Sequence, residues 1–438
     1  MDPMTFTLRL ITYSFTWLSY ILYMSIYAPL GSGWLSWHSQ RIFNAVEYLK
    51  LNGYFSSYGF TIWTKCQDCS LIATEWVDKL YLSVHLIPFT PYIIINHFWG
   101  KETLAIYGPF IDKLIIFLIG ILIVEFMVKW IKSYSRLPIY LISTACFLFY
   151  ISSPWTYKMI IASWFEVYFL FFLLLSFFCF DNYHKKLGFV FLFVAGLYSY
   201  QWVFAIAIFY VLIKIVPHLI RDNFKTELYF PPNNGKQYQH LSIILCLLLP
   251  VILLFILRYM ASSHLTDAAS SSLLFRIGIT GNDIHNGGIL GALQFFGGNR
   301  ITQCFQPNNL IVATSDLNQS IASYNCIFSI TGMSLLSVLS IAGLCLLTIK
   351  SISSRSLVLP ICFSLIVFVS FLQQSLSVHL MGYSFIFSIL FATGLTNMII
   401  HCSNYITSRS LATIFTTPLI AGIVILSIHV SMLTGVNG

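Results

Sequence analysis

Residues 34–58 read WLSWHSQRIFNAVEYLKLNGYFSSY, and the rest of the chain is organised around them. They follow directly on an apolar run from Thr7 to Pro29, so they begin at a membrane surface. Glu47 is the first acid after Asp2; Arg41 lies six residues before it and Lys50 three after. Wound as a helix from His38 to Leu51, the stretch lines up Ile42, Ala45, Val46 and Leu49 on one stripe. Trp34, Trp37, Tyr48, Tyr54, Phe55 and Tyr58 surround it. The pattern predicts an interfacial amphipathic helix, apolar side down and charged side toward water. Its carboxylate would sit at the mouth of a membrane cavity, partly desolvated between aromatic walls and fit to act as a general base on a lipid-borne substrate.

Composition widens this reading to the whole chain. Of 438 residues, 58% are hydrophobic and 9% are charged, far too little charge to cover a water-facing surface. Repeated apolar runs predict an all-α polytopic membrane protein. The first run is too long for a signal h-region and lacks a small-x-small cleavage site, which makes it a retained helix. Further spans are expected at 112–131, 137–153, 158–180, 187–199, 200–217, 241–259, 327–349, 356–373, 379–400 and 411–434, about 11 transmembrane helices in all. Tyr198-Ser199-Tyr200-Gln201 marks the break within 187–217.

Charge then sets orientation. With the N-terminus inside, 13 of the 23 Lys and Arg fall on inner segments, against four inner acids, Asp2, Asp181, Asp222 and Glu227. The net charge of +8 is therefore a topology signal and gives no sign of nucleic acid as a partner. The chain divides into a first helix (1–29), a large outer loop with interfacial helices (30–111), a transmembrane bundle (112–260), a second outer loop (261–325) and C-terminal helices (326–438). Leu80 to Trp99, apolar but broken by Pro88 and Pro91, reads as a re-entrant or interfacial segment or a pair of half-spans.

Four of the ten cysteines, Cys66, Cys69, Cys304 and Cys326, fall in the outer loops. No second C-x-x-C and no close His pair accompanies the first two, which argues against zinc and for a disulfide in an oxidising compartment. Both a Cys66–Cys69 bridge and one to the second loop fit.

Among outer acids, Asp68, Glu75, Asp78, Glu102 and Asp112 read as solvated carboxylates, with Glu75 and Asp78 forming a second polar patch beside Trp76 and Lys79. Glu125 lies within a span four residues before Lys129, an i,i+4 pair near the inner edge. Glu166, deeper in its span, calls for a cavity or a partner such as Lys158 or Arg258. The second loop holds Arg276, Asp283, His285, Asn299 and Arg300 beside Gly pairs, a composition suited to phosphate contact and also to an ordinary long loop. His379 opens the tenth span, placed to donate to a diphosphate or to anchor at the interface. Walker A, dinucleotide-binding, HExxH and G-x-S-x-G patterns are all absent, which leaves ATP-driven transport and serine hydrolysis without support.

The pattern resembles the GT-C class of integral-membrane glycosyltransferases. Locally the likeness rests on R-x5-E-Y-L-K-x-N-G (Arg41 to Gly53) and S-P-W-x9-F-E (Ser153 to Glu166). The segment S-V-H-L-M-G-Y-S-F (Ser377 to Phe385) is similar to late-helix segments of phage-type serotype-converting O-antigen glucosyltransferases. The chain departs from the class in having no acid just after the first helix, in Gly31 to Gln40; Glu47 comes later. The resemblance implies transfer of a sugar from a polyprenyl-phosphate donor to a lipid-linked glycan acceptor, part of lipopolysaccharide, on the outer face of a bacterial inner membrane. It implies Glu47 as the catalytic carboxylate, inversion at the sugar, and neither cofactor nor metal. Arg41, Lys158, Arg258, Arg276 and Arg300 would stabilise the departing phosphate, with Glu166 and His379 lining the substrate groove. Two rivals stay open: an O-antigen polymerase using diphosphate-linked repeat units, in which outer-loop Arg residues dominate, and a carrier or flippase for lipid-linked sugars.

Overall fold

The computed structural model describes residues 3–27, 34–55, 60–62, 80–131, 135–161, 166–181, 184–198, 237–261 and 384–436, with helical pieces between 331 and 346. These are almost wholly helical. In chain order they form α1 (Pro3–Tyr27), α2 (Trp34–Asn52), β1 (Phe60–Ile62), β2 (Leu80–His85), a 3-10 turn (Ile87–Phe89), α3 (Thr90–Ile131), α4 (Ile139–Ser152) and α5 (Pro154–Ile161). Then come α6 (Glu166–Asp181), α7 (Lys185–Tyr198), α8 (Gln237–Ala261), α9 (Ser384–Asn404) and α10 (Arg409–Val436). β1 and β2 pair antiparallel, with an irregularity between Phe60 and Thr61. The helices at 112–131, 137–153, 187–199, 241–259 and 411–434 fall where the apolar runs place them; 200–217 and 356–373 lie outside the described residues.

Two breaks shape the bundle, and both have local causes. Gly100, at φ 85° and ψ 172°, adopts a conformation open to glycine alone and divides α3 into a short leg (90–99) and a long leg (101–131). The short leg explains the Pro-broken stretch from Leu80 to Trp99: Pro88 sits in the 3-10 turn and Pro91 in the first helical turn, where a missing N–H costs nothing. Ten residues of helix measure about 15 Å, half the thickness of a bilayer core. The long leg carries the helix across residue 111, so the boundary expected there falls inside one element.

The second break is Ser153, whose extended backbone (ψ 138°) separates α4 from α5. Its Oγ accepts the Thr156 N–H at 3.2 Å and its carbonyl the Tyr157 N–H at 3.0 Å. With Pro154 at the first helical position, Ser153-Pro154 is a helix start of the ordinary kind. The S-P-W motif thus has a folding role.

α1 runs antiparallel to the long leg, with Arg9 against Glu125 at one end and Trp17 against Phe117 (5.9 Å between rings) further along. α4 lies beside both, Tyr13 stacking on Phe147 at 4.9 Å, and α9 and α10 cover α4 and α5. α6 packs on α7 and the long leg, with Gly188 making room for the Phe180 ring. The core is continuous across these helices.

Which residues face out is informative. On α1 the exposed side chains are Leu8, Ile11, Phe15, Leu18, Leu22 and Ile26, whereas Arg9, Tyr13 and Tyr20 are buried. α10 likewise exposes Leu411, Ile414, Phe415, Leu419 and Ile425 and buries Thr416, Ser427 and Ser431. Ser427 and Ser431 both donate to the Ser152 carbonyl, at 2.8 and 2.9 Å. Among the described residues, Arg409–Met432 of α10 is the one helix long and apolar enough to cross a membrane by length and composition.

Glu125 meets Arg9 on α1 at 3.3 Å, with side chains 5% and 10% exposed. The side chain of Lys129, the i,i+4 partner expected, lies outside the described residues. Taking away either member of the Arg9–Glu125 pair removes a buried countercharge. Arg9→Met or Glu125→Leu alone should cost about 3–5 kcal/mol, and the double variant should recover most of the loss. Thermal unfolding of the three proteins in detergent measures this; a double variant no more stable than either single one contradicts it.

Candidate functional site

α2 extends the expected helix by several residues, and Gly53, at φ 87°, closes it in the left-handed conformation that helix ends favour. The predicted stripe is real: Ile42, Ala45, Val46 and Leu49 are fully buried. Its partner differs from the one expected. The stripe belongs to the protein core and packs on the short leg of α3, with the Phe43 and Tyr92 rings edge to face at 6.3 Å. A lipid surface is therefore not what covers it.

Glu47 stands at the edge of this contact, half-buried. Its Oε2 accepts the Asn96 side-chain N–H at 2.8 Å. Lys50, one turn on, donates from Nζ to the Asn96 carbonyl at 2.9 Å. Asn96, wholly buried, is thus gripped at both its side chain and its backbone by the i and i+3 positions of α2. Just beyond, the Tyr54 hydroxyl meets His97 Nδ1 at 3.0 Å.

A second carboxylate connects to the same short leg, and nothing in its local sequence marks it. Asp112, read as a solvated acid, is 2% exposed. The Tyr92 hydroxyl donates to its Oδ1 at 2.6 Å and the Tyr168 hydroxyl to the same oxygen at 2.8 Å. Tyr168 in turn stacks on Tyr198 at 5.7 Å. The carboxylate therefore ties together both legs of α3, α6 and, through the stack, α7. Its partners stand 20 and 56 residues away, beyond the reach of any local pattern. Glu102, by contrast, is exposed as expected.

The other expected site residues distribute as follows. Arg41, Lys158, Glu166 and Arg258 take positions on α2, α5, α6 and α8. Arg276, Arg300, His379, the loop acids Asp68, Glu75 and Asp78, and the cysteines Cys66, Cys69, Cys304 and Cys326 lie outside the described residues. Among the described residues, no three His, Cys, Asp or Glu side chains gather as a metal site requires.

Chemically, the cluster offers a half-exposed carboxylate, oriented by a buried neutral amide. No family model matches the chain, and no curated protein and no solved structure matches it.

Tyr54 reports on the charge at this site. Burial raises its pKa above the ordinary tyrosine value, and the negative Glu47 carboxylate raises it further. A raised folded-state pKa contributes stability that is fully present below the unfolded value of about 10 and is lost as pH rises through the folded value. Glu47→Gln removes the second cause, so the Tyr54 titration should move down toward 10. The ultraviolet difference between the protein and its Tyr54→Phe variant, taken with and without Glu47→Gln, measures it; an unmoved midpoint contradicts the placement of the two groups.

Proposed function

We propose that this chain is a multi-pass glycosyltransferase of the bacterial inner membrane that moves a sugar from a polyprenyl-phosphate donor to a lipid-linked O-antigen glycan on the outer face. The observation that carries the reading is the Glu47 carboxylate, half-buried on a helix just after the first apolar run and aimed by Asn96. Its support in membrane residence comes from helices turned inside out relative to those of a water-soluble protein, with Arg and Tyr inward and Leu, Ile and Phe outward.

In this mechanism the acceptor hydroxyl loses its proton to Glu47 as its oxygen attacks the anomeric carbon from the face opposite the phosphate. The bond from that carbon to the phosphate oxygen breaks and its electron pair leaves with polyprenyl phosphate, so the sugar is inverted. Water then takes the proton from Glu47. Arg41, Lys158, Arg258, Arg276 and Arg300 supply positive charge for the leaving phosphate. The topology of about eleven spans with the N-terminus inside and two large outer loops belongs to the same proposal.

Replacing Glu47 with Gln preserves size and the bond to Asn96 but removes the base, and transfer should fall by roughly 10²–10⁴-fold. Mass spectrometry of surface polysaccharide from cells carrying the variant reads this as loss of one sugar branch. Loss of chain length instead, reproduced by Arg276→Ala and Arg300→Ala, would assign the chain to polymerisation. Purified protein that forms no glycosidic bond from donor and acceptor would point to a carrier.

A further inference from the structure

We propose that Asp112 is a positioning residue for Glu47, acting through the short leg of α3; the activity arm of its test rests on the transferase reading above. The short leg has ten residues between the 3-10 turn and Gly100, too few to hold a helix in place by itself. Its place depends on what anchors it. Its outer side offers Ile94, Phe98 and Trp99, all exposed. Its inner side offers Tyr92 and Asn96, one turn apart on the same face and both wholly buried.

These two residues connect to different helices. Tyr92 donates to Asp112 on the long leg, which also receives Tyr168 from α6. Gly108 allows the approach: a Cβ there would sit 3.3 Å from Leu104 and Phe43 and 3.5 Å from the Tyr92 ring. Asn96, a turn later, holds Glu47 Oε2 and takes the Lys50 ammonium on its carbonyl. Asp112 thus fixes one end of a short lever whose other end sets the direction of the Glu47 carboxylate. Both tyrosine hydroxyls converge on Oδ1, an acceptor oxygen that asparagine keeps and leucine lacks.

That distinction makes the inference testable. Full-length protein in native membrane vesicles is labelled at carboxylates with a carbodiimide and an amine, and Glu47 modification is followed by mass spectrometry. Transfer from polyprenyl-phosphate hexose is assayed in the same vesicles. Asp112→Leu should raise Glu47 labelling by roughly tenfold, the factor carried by loss of one hydrogen bond to a charged group, and lower transfer by a similar factor. Asp112→Asn keeps Oδ1 and should restore most of both. If Asp112→Leu fails to accumulate, Tyr92→Phe makes the same cut more gently and should move both readouts in the same direction.

Glu47 labelling that ignores Asp112→Leu and Tyr92→Phe would overturn the inference. So would Asp112→Asn that loses transfer while Glu47 labelling stays native, since Asp112 would then act by its charge. Labelling that follows the expected order, in a protein that transfers no sugar even without substitution, would uphold the positioning role and sink the transferase reading.

Discussion

Arg9 and Glu125 meet at 3.3 Å, almost out of reach of solvent, between two helices whose outer faces are lined with Leu, Ile and Phe. That contact expresses the constraint under which the rest of the bundle is built. A polar group on a helix with an apolar exterior has to find its partner inside the protein, because an unmatched one costs several kcal/mol. The same rule organises the C-terminal part. Asn397 on α9 donates to the Gly343 carbonyl at 2.8 Å, and Ser340 donates to the Leu390 carbonyl at 3.2 Å, across a contact where Gly343 and Gly394 let two backbones come close. Small residues for approach and hydroxyl or amide groups for attachment hold these two helices together.

Breaks in the helices are where this constraint creates something usable. Ser153 ends α4 and starts α5 while its own hydroxyl and carbonyl take the Thr156 and Tyr157 N–H groups of the new helix. Gly100 does more. By folding α3 back on itself it puts Tyr92 beside Asp112 and leaves the short leg as a shelf on which α2 rests. The polar groups of that shelf are matched in series: Tyr168 and Tyr92 to Asp112, then Asn96 to Glu47 and Lys50. Only the last carboxylate in the series is partly open to its surroundings.

How far the sequence reveals this depends on the range of each interaction. The helical class follows from composition, and the buried stripe of α2 from a period of 3.6 residues, because both are written in neighbouring positions. Glu47 stands out in the sequence for the same reason: it is the first acid after a long apolar run. Asp112 is not, since its two tyrosines come from residues 92 and 168 and nothing adjacent distinguishes it from a solvated loop acid. Glu125 is a similar case, since its partner Arg9 stands 116 residues away. The covering of α2 was misjudged on similar grounds. Periodicity tells which face is apolar, but whether lipid or protein lies against it depends on where Gly100 sends the chain.

The choice of Asn96 as the group that aims Glu47 has a consequence for chemistry. A carboxylate can be oriented by a cation or by a neutral donor, and the two leave different surroundings behind. A guanidinium or ammonium in contact brings a full positive charge; an amide N–H gives direction with only a partial charge. Here the nearest described cation on the same helix, Lys50, is turned to the Asn96 carbonyl, so it strengthens the grip on the amide. Direction comes from Asn96, and the lysine's positive charge is tethered to backbone one turn away. An acid arranged this way keeps a fixed aim, held half-buried at the junction of α2 and the short leg by a neutral donor.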